Sequence, residues 1–180
     1  TSISRDNTDN KDSKGSTDGG NTVTISSDKY GEEQYDHVIM ATHSDQALAL
    51  LSDATDSEKN VLGDITYRNN DVVLHTDERL LPNNKKTWSS WNYSIPGAAT
   101  HDDVPPVLTY NMNILQGLDA PCTFCVTLNN TDQIGPQKII GRYQYAHPVF
   151  SLPAIAAQQR WADINGQKNT WFCGAYWANG

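Results

Sequence analysis

Several residue groups in this 180-residue chain have types and spacings that could carry chemistry. His75 and Asp77 lie two apart in the run Asp71-Val72-Val73-Leu74-His75-Thr76-Asp77. In an extended chain they share a face, an arrangement that could orient the imidazole as a general base. The simpler reading is a solvated pair at a strand end, and neither residue is assigned a catalytic role. Cys122-Thr123-Phe124-Cys125 has the spacing of redox and zinc sites. Redox pairs of this kind open a helix, whereas Val126-Thr127-Leu128 continues as a strand that points the thiols to opposite faces. Zinc would need further ligands, and only Cys173 and scattered histidines are available, so no metal is assigned. Trp88, Trp91, Asn92, Tyr110, Asn111 and Asn113 combine flat aromatic surfaces with amides. Tryptophans are more often core than ligand contacts, while buried amides need partners.

The elements that must position these groups follow from periodicity. Tyr35 to Leu51 (YDHVIMATHSDQALALL) is a short apolar run, Val38-Ile39-Met40, that stops at Ala41-Thr42 and leads into a helix. The run does not alternate, which suits a strand covered on both faces, and Ser44 reads as the cap of a helix with Ala47, Leu48 and Leu51 inward. In open α/β folds a ligand lies at the carboxyl end of such a strand. Ahead of it, residues 6 to 21 are polar and rich in Gly, Ser and Asp, a loop or disordered insertion. Thr22 to Ile25 alternates as a strand, and a small β-meander feeds Tyr35. Thr55-Asp56-Ser57-Glu58 has capping-box spacing, with Gly63 at the far end of a second helix. Strands are expected at Ile65 to Arg68, Val72 to Thr76, Val107 to Met112, Thr123 to Leu128 and Ile139 to Ala146. A helix from Leu152 to Ile164, capped by Ser151, should bury Ala154, Ala157, Trp161 and Ile164. His147 precedes Pro148 and reads as extended and structural. Thr170 to Trp177 is a final apolar strand.

The formal charge is −8, with 13 Lys and Arg scattered along the chain, which argues against a nucleic-acid or anionic-membrane surface. No apolar run approaches the roughly 20 residues of a transmembrane helix. Three cysteines do not suggest a secreted disulfide framework, so a reducing, cytoplasmic setting is the expectation.

The blocks YDHVIMATHSDQALALL, DVVLHTDERLLPNNKKTWSSWNY, LTYNMNILQGL, VTLNN, HPVF and QRWADINGQKNTWFCGAYWANG, in this order, closely resemble a group of bacterial FAD/NAD(P)-binding oxidoreductases related to the flavin-containing amine oxidases. The resemblance covers about Tyr35 to Gly180, and Trp88 to Asn92 and Thr109 to Asn113 are its most unusual strings. It implies an α/β fold, α+β-like in part: a piece of an FAD-binding domain with a β-meander, plus a mixed-sheet substrate domain with flanking helices. Residues 22–51 would belong to the FAD-binding domain, 52–150 to the substrate domain, and 151–180 would return to the first. The family's N-terminal Rossmann unit carries a Gly-x-Gly-x-x-Gly turn for the FAD pyrophosphate. No such pattern is present, so the sequence reads as a central-to-C-terminal piece that binds FAD weakly or not at all by itself.

By this resemblance Ala41 and Thr42 form the strand end that lets the dinucleotide approach. Phe172, Gly174, Ala175 and Tyr176 belong to a strand that presents backbone N–H groups to the flavin. Trp88, Trp91, Asn92, Tyr110, Asn111 and Asn113 would line a pocket near the isoalloxazine for a small or lipid-like substrate. The implied reaction is hydride transfer from a C–H or C–N centre to flavin, with no acid or base required of this segment. An alternative is a non-catalytic domain, derived from the flavoenzyme's substrate domain, that binds a ligand or a protein. A zinc-stabilised module using the cysteines trails both.

Overall fold

The computed structural model describes residues 1–5, 22–94 and 107–178, so the polar run from 6 to 21 lies outside the described residues. Helices and sheets are mixed, the α/β class with α+β character that the sequence implies. The chain divides into two compact units, Thr1–Tyr67 with Pro148–Gly180, and Arg68–His147.

The first unit opens with an antiparallel meander of β1 (Ser2–Arg5), β2 (Val23–Ser27) and β3 (Gly31–Tyr35). Gly31 takes the turn into β3 at φ +76°, a conformation that disfavours a side chain. The next strand, β4 (Val38–Met40), pairs in parallel with β10 (Thr170–Phe172), so strands from opposite ends of the sequence form a two-stranded sheet. Four helices accompany it: α1 (Ser44–Leu50), α2 (Asp56–Gly63), α4 (Leu152–Gln159) and α5 (Trp161–Ile164). The core gathers Met40 and Phe172 from the sheet, Ile3 and Val23 from the meander, and Ala47, Val61, Leu62, Ala154, Ala157 and Ile164 from the helices.

A buried charge cluster ties β1 to α2 and β10. Arg5, 5% exposed, donates through Nη2 to Glu58 Oε2 at 2.8 Å and through Nε to Asp53 Oδ1 at 2.9 Å, while its Nη1 meets Glu58 Oε1. The Thr55 backbone N–H donates to the same Glu58 carboxylate at 2.7 Å, so the expected capping box is present and half of it doubles as the ion-pair anchor. Burial by itself would raise the Glu58 carboxyl. The hydrogen bonds from Arg5 and Thr55, with the Arg5 charge, outweigh it and hold the group below its ordinary value.

The second unit is built on a five-stranded sheet in the order β6-β7-β8-β5-β9: β6 (Trp91–Ser94), β7 (Val107–Asn111), β8 (Cys125–Leu128), β5 (Tyr67–His75) and β9 (Ile139–Pro148). A short helix, α3 (Met112–Gln116), follows β7 and ends at Gly117 with φ +64°, the left-handed cap that glycine supplies without strain.

Several local expectations are corrected. The α1 cap is His43 rather than Ser44, and Ser44 is the first helical residue, its hydroxyl donating to the Ile65 carbonyl at 3.0 Å. Strand β4 is covered on one face only: Ile39 is 68% exposed while Met40 is buried. The strands expected at Ile65 to Arg68 and Val72 to Thr76 are one strand, β5. The last long helix breaks at Arg160 (φ −99°, ψ 10°), which turns Trp161 partly outward, its indole N–H donating to the Phe172 carbonyl at 3.0 Å. The final strand stops at Phe172, and Ala175–Trp177 is a 3-10 turn, because Gly174 at φ +151° takes the chain out of the sheet.

Candidate functional site

Strands β4 and β10 point the same way and finish together. Met40 is opposite Phe172, and the Cys173 N–H donates to the Met40 carbonyl at 3.0 Å. At this shared carboxyl end lie Ala41, Thr42, Cys173, Gly174 and Ala175, all exposed. Two sequence stretches that the resemblance assigned to the cofactor are therefore brought to one place. Phe172 and Tyr176, assigned with them, are buried in the core.

The architecture behind this end is specific. His43 stacks on Tyr67 with ring centroids 4.3 Å apart, and the Tyr67 hydroxyl accepts from the Ser44 N–H at 3.1 Å. A Cβ added at Gly174 would meet Tyr176 Cε1 at 2.5 Å, so the absent side chain makes room for the Tyr176 ring as well as leaving the backbone open. The Tyr176 carbonyl accepts from Gln158 Nε2 at 2.8 Å. The Tyr176 hydroxyl and the Trp177 indole N–H are both buried and both lack a hydrogen-bond partner among the described residues. Burial, then the nearby Tyr67 hydroxyl, pushes the Tyr176 phenol well above its ordinary value against the opposing effect of the adjacent Trp177. Sequence reasoning passed over His43, Tyr67 and Trp177; the two small residues followed by two aromatics in Gly174-Ala175-Tyr176-Trp177 were the available signal.

In the second unit the pocket residues part company. Cross-strand register sets Trp91 opposite Tyr110, Tyr110 opposite Val126 and Val126 opposite Leu74. That face also carries Tyr93, Leu108, Leu128 and Val72, and most of it is half-buried or exposed, with Trp91 and Tyr93 at 63% and 62%. Trp91 and Tyr110 meet edge to face at 5.4 Å. The opposite face carries Asn92, Thr109, Asn111, Cys125, Thr127, Val73 and His75, all buried. The apolar face is thus the open one and the polar face the covered one.

The expectation that all six residues line one pocket is therefore corrected, since adjacent strand positions point to opposite sides. Asn92 spends its amide on Ser89 and on the Thr109 carbonyl, and Asn111 caps α3 through the Ile114 N–H at 3.2 Å. Asn113 braces the loop before β8 through the Cys122 carbonyl and the Phe124 N–H. Trp88 donates to the Pro82 carbonyl at 2.7 Å and carries Lys85 over its ring. A cleft of about 290 Å³ lined by Asp71, Val72, Thr131, Arg142, Tyr143 and Gln144 contains none of the six. Trp91 and Tyr110 remain as the pair on an accessible surface.

His75 and Asp77 are buried rather than solvated. His75 Nδ1 accepts from the Asp77 backbone N–H at 3.0 Å, which leaves Nε2 as the protonated nitrogen, donating to Thr127 Oγ1 at 2.7 Å. Thr127 meets Thr109 Oγ1 at 2.8 Å, so the imidazole sits in a strand-to-strand polar chain with neither nitrogen free for a substrate. Burial lowers the His75 pKa against the pull of Asp77. The Asp77 carboxylate goes instead to Arg79 and to the Gly135 N–H at 2.8 Å, and the Arg79 contact is the main cause holding it far below its ordinary value. Cys122, Cys125 and Cys173 are free thiols, with Cys125 buried at the start of β8 and Cys122 exposed ahead of it.

No protein-family model and no curated protein sequence matches the chain. Among solved structures it is similar to a CLA-producing fatty acid isomerase from P. acnes, at 16% identity and a TM-score of 0.55, over 97% of this chain and 41% of that one. It also aligns with a protein assigned as a protoporphyrinogen oxidase from Exiguobacterium sp. 255-15, at 11% identity and a TM-score of 0.49, over 89% of this chain and 40% of that one. The chain spans about two fifths of the length of the isomerase. The likeness to the isomerase shows the fold alone, and at that level it agrees with the mixed α/β class implied by the sequence.

Proposed function

We propose that this chain is part of an FAD-dependent oxidoreductase of the amine-oxidase type, acting on a small or lipid-like substrate. The observation that carries the reading is the common end of β4 and β10, where Ala41 and Thr42 meet Cys173 and Gly174 across parallel strands. Ligands of open α/β sheets bind at this end. The residues fit a flavin nucleotide in that the exposed strand end carries small or absent side chains, Ala41, Thr42 and Gly174, which allow close approach.

Bound flavin would supply the hydride-accepting chemistry. The chain's residues would do the rest by position. Gly174 leaves its backbone open, and the His43–Tyr67 stack fixes the turn that presents Ala41 and Thr42. In the second unit, the Trp91–Tyr110 pair and the surrounding apolar sheet face would contact an apolar substrate. His75 is excluded as a base because both its nitrogens are engaged.

The test is the visible absorption of the protein produced from its natural reading frame. A bound flavin band, weakened by Thr42→Trp at the exposed strand end, is the expected result. A colourless protein that does not alter the fluorescence of added FAD would remove the proposal.

A further inference from the structure

The turn that leads into β10 is held in a backbone conformation that one of its residues does not favour. Gly166 (φ +81°), Lys168 (φ +47°, ψ +40°) and Asn169 (φ +57°) are all left-handed. Glycine takes that region freely and asparagine tolerates it, but a lysine Cβ is crowded there. Gly166 also has a packing reason, since a Cβ would meet the Trp171 ring at 3.0 Å. Lys168 is left as the residue whose conformation must be kept by something outside the turn.

Asp53 is placed to keep it. Its Oδ2 accepts from Lys168 Nζ at 3.3 Å while its Oδ1 accepts from Arg5 Nε at 2.9 Å, so one carboxylate, 28% exposed, holds two cations from opposite ends of the sequence. The turn is joined to the strand as well. Thr170, buried as the first residue of β10, donates to the Lys168 carbonyl at 3.2 Å, and its own carbonyl accepts from the Gly166 N–H at 2.8 Å. Arg5 Nη1 reaches the same Thr170 hydroxyl at 3.4 Å. Strand β10 has three residues, paired with the three of β4. So short a two-stranded ladder is marginal by itself, and the turn must help to fix its end.

We propose that Asp53 and Lys168 are positioning residues: their ion pair clamps the left-handed turn and thereby sets β10, with its Cys173–Gly174 end, against β4. That this end is a flavin wall rests on the proposed function; the clamp itself is read without flavin.

The experiment is amide hydrogen exchange at the Cys173 N–H, which donates to the Met40 carbonyl at 3.0 Å and so reports the joined strand ends. The proteins compared are wild type, Lys168→Met, Lys168→Gly and, as a control, Lys59→Met, which removes an exposed ion pair of the same unit. Lys168 is partly exposed, so both substitutions there leave the fold intact, checked by circular dichroism. Lys168→Met loses the clamp and keeps the crowded Cβ, so exchange should be at least about threefold faster than in wild type and in Lys59→Met, the ratio for a partly exposed ion pair. Lys168→Gly loses the same ion pair but takes a positive φ without help, so it should exchange at least about twofold more slowly than Lys168→Met. A role in charge balance alone would leave those two variants alike. Equal exchange in Lys168→Met and wild type overturns the proposal, as does exchange in Lys168→Gly as fast as in Lys168→Met. Titration with FAD separates the two readings: a wild type that binds no FAD while the exchange pattern holds removes the flavin reading and supports the clamp.

Discussion

Replacing Glu58 by Gln should destabilise the first unit strongly, and the structure sets the scale. The Arg5 guanidinium is buried and depends on Glu58 for contacts at Nη1 and Nη2, with Asp53 and Thr170 as its other side-chain partners. Removing one member of a buried ion pair costs about 3–5 kcal/mol because the other charge is stranded. Asp53 remains bonded to Arg5 at 2.9 Å, so the lower end, about 3 kcal/mol, is expected. That is a large part of the ~5–15 kcal/mol that holds a typical domain together. Arg5→Met should cost as much, and the double variant Arg5→Met/Glu58→Leu should cost at least about 1 kcal/mol less than the sum of the singles. Urea titration followed by tryptophan fluorescence measures each term of this cycle. The pair also fixes a pH dependence. The folded-state Glu58 pKa is depressed, so its stabilisation is complete above the ordinary value of 4.5 and is lost as pH falls from there through the folded value. Single-variant costs below about 0.5 kcal/mol, the scale of a surface pair, or strict additivity would refute the reasoning.

Other consequences follow from the same coordinates. His75 is buried and its pKa lowered, so the unfolded chain takes up the proton first and stability should fall as pH drops below the ordinary 6.5; His75→Gln should flatten that slope in urea midpoints taken between neutral and mildly acidic pH. Asp77→Asn should weaken the second unit by about 1–3 kcal/mol, since it removes the charged acceptor of Arg79 and of the Gly135 N–H, and a midpoint unchanged from wild type would contradict this. Gly174→Val places a Cβ against the Tyr176 ring at a φ of +151° and should lower the melting temperature by an amount equivalent to about 1–3 kcal/mol.

Much of the fold could be read from the sequence where one local signal dominated. The Thr55–Glu58 box, the Ser151 cap and the strands expected at Val107 to Met112 and Ile139 to Ala146 behaved as their local patterns implied. Strand β1 was missed because Ser2-Ile3-Ser4-Arg5 has one apolar residue, and its place depends on Arg5 reaching Glu58 from 53 residues away. The six-residue pocket failed for a simple reason: Trp91 and Asn92, or Tyr110 and Asn111, are neighbours in sequence and opposites in a strand. The β4–β10 end could be expected only through family resemblance, because no local pattern in Val38-Ile39-Met40 announces a partner 132 residues later at Thr170.

The most direct test of the account is a titration of FAD with the protein from its natural reading frame, wild type against Thr42→Trp, read by flavin fluorescence and the visible flavin band. The account predicts a flavin complex in wild type and at least about tenfold weaker binding in the variant, about 1.4 kcal/mol, with the same melting temperature in the absence of FAD. Equal affinity in the two proteins, or no complex in either, would contradict the assignment of the β4–β10 end as a flavin wall.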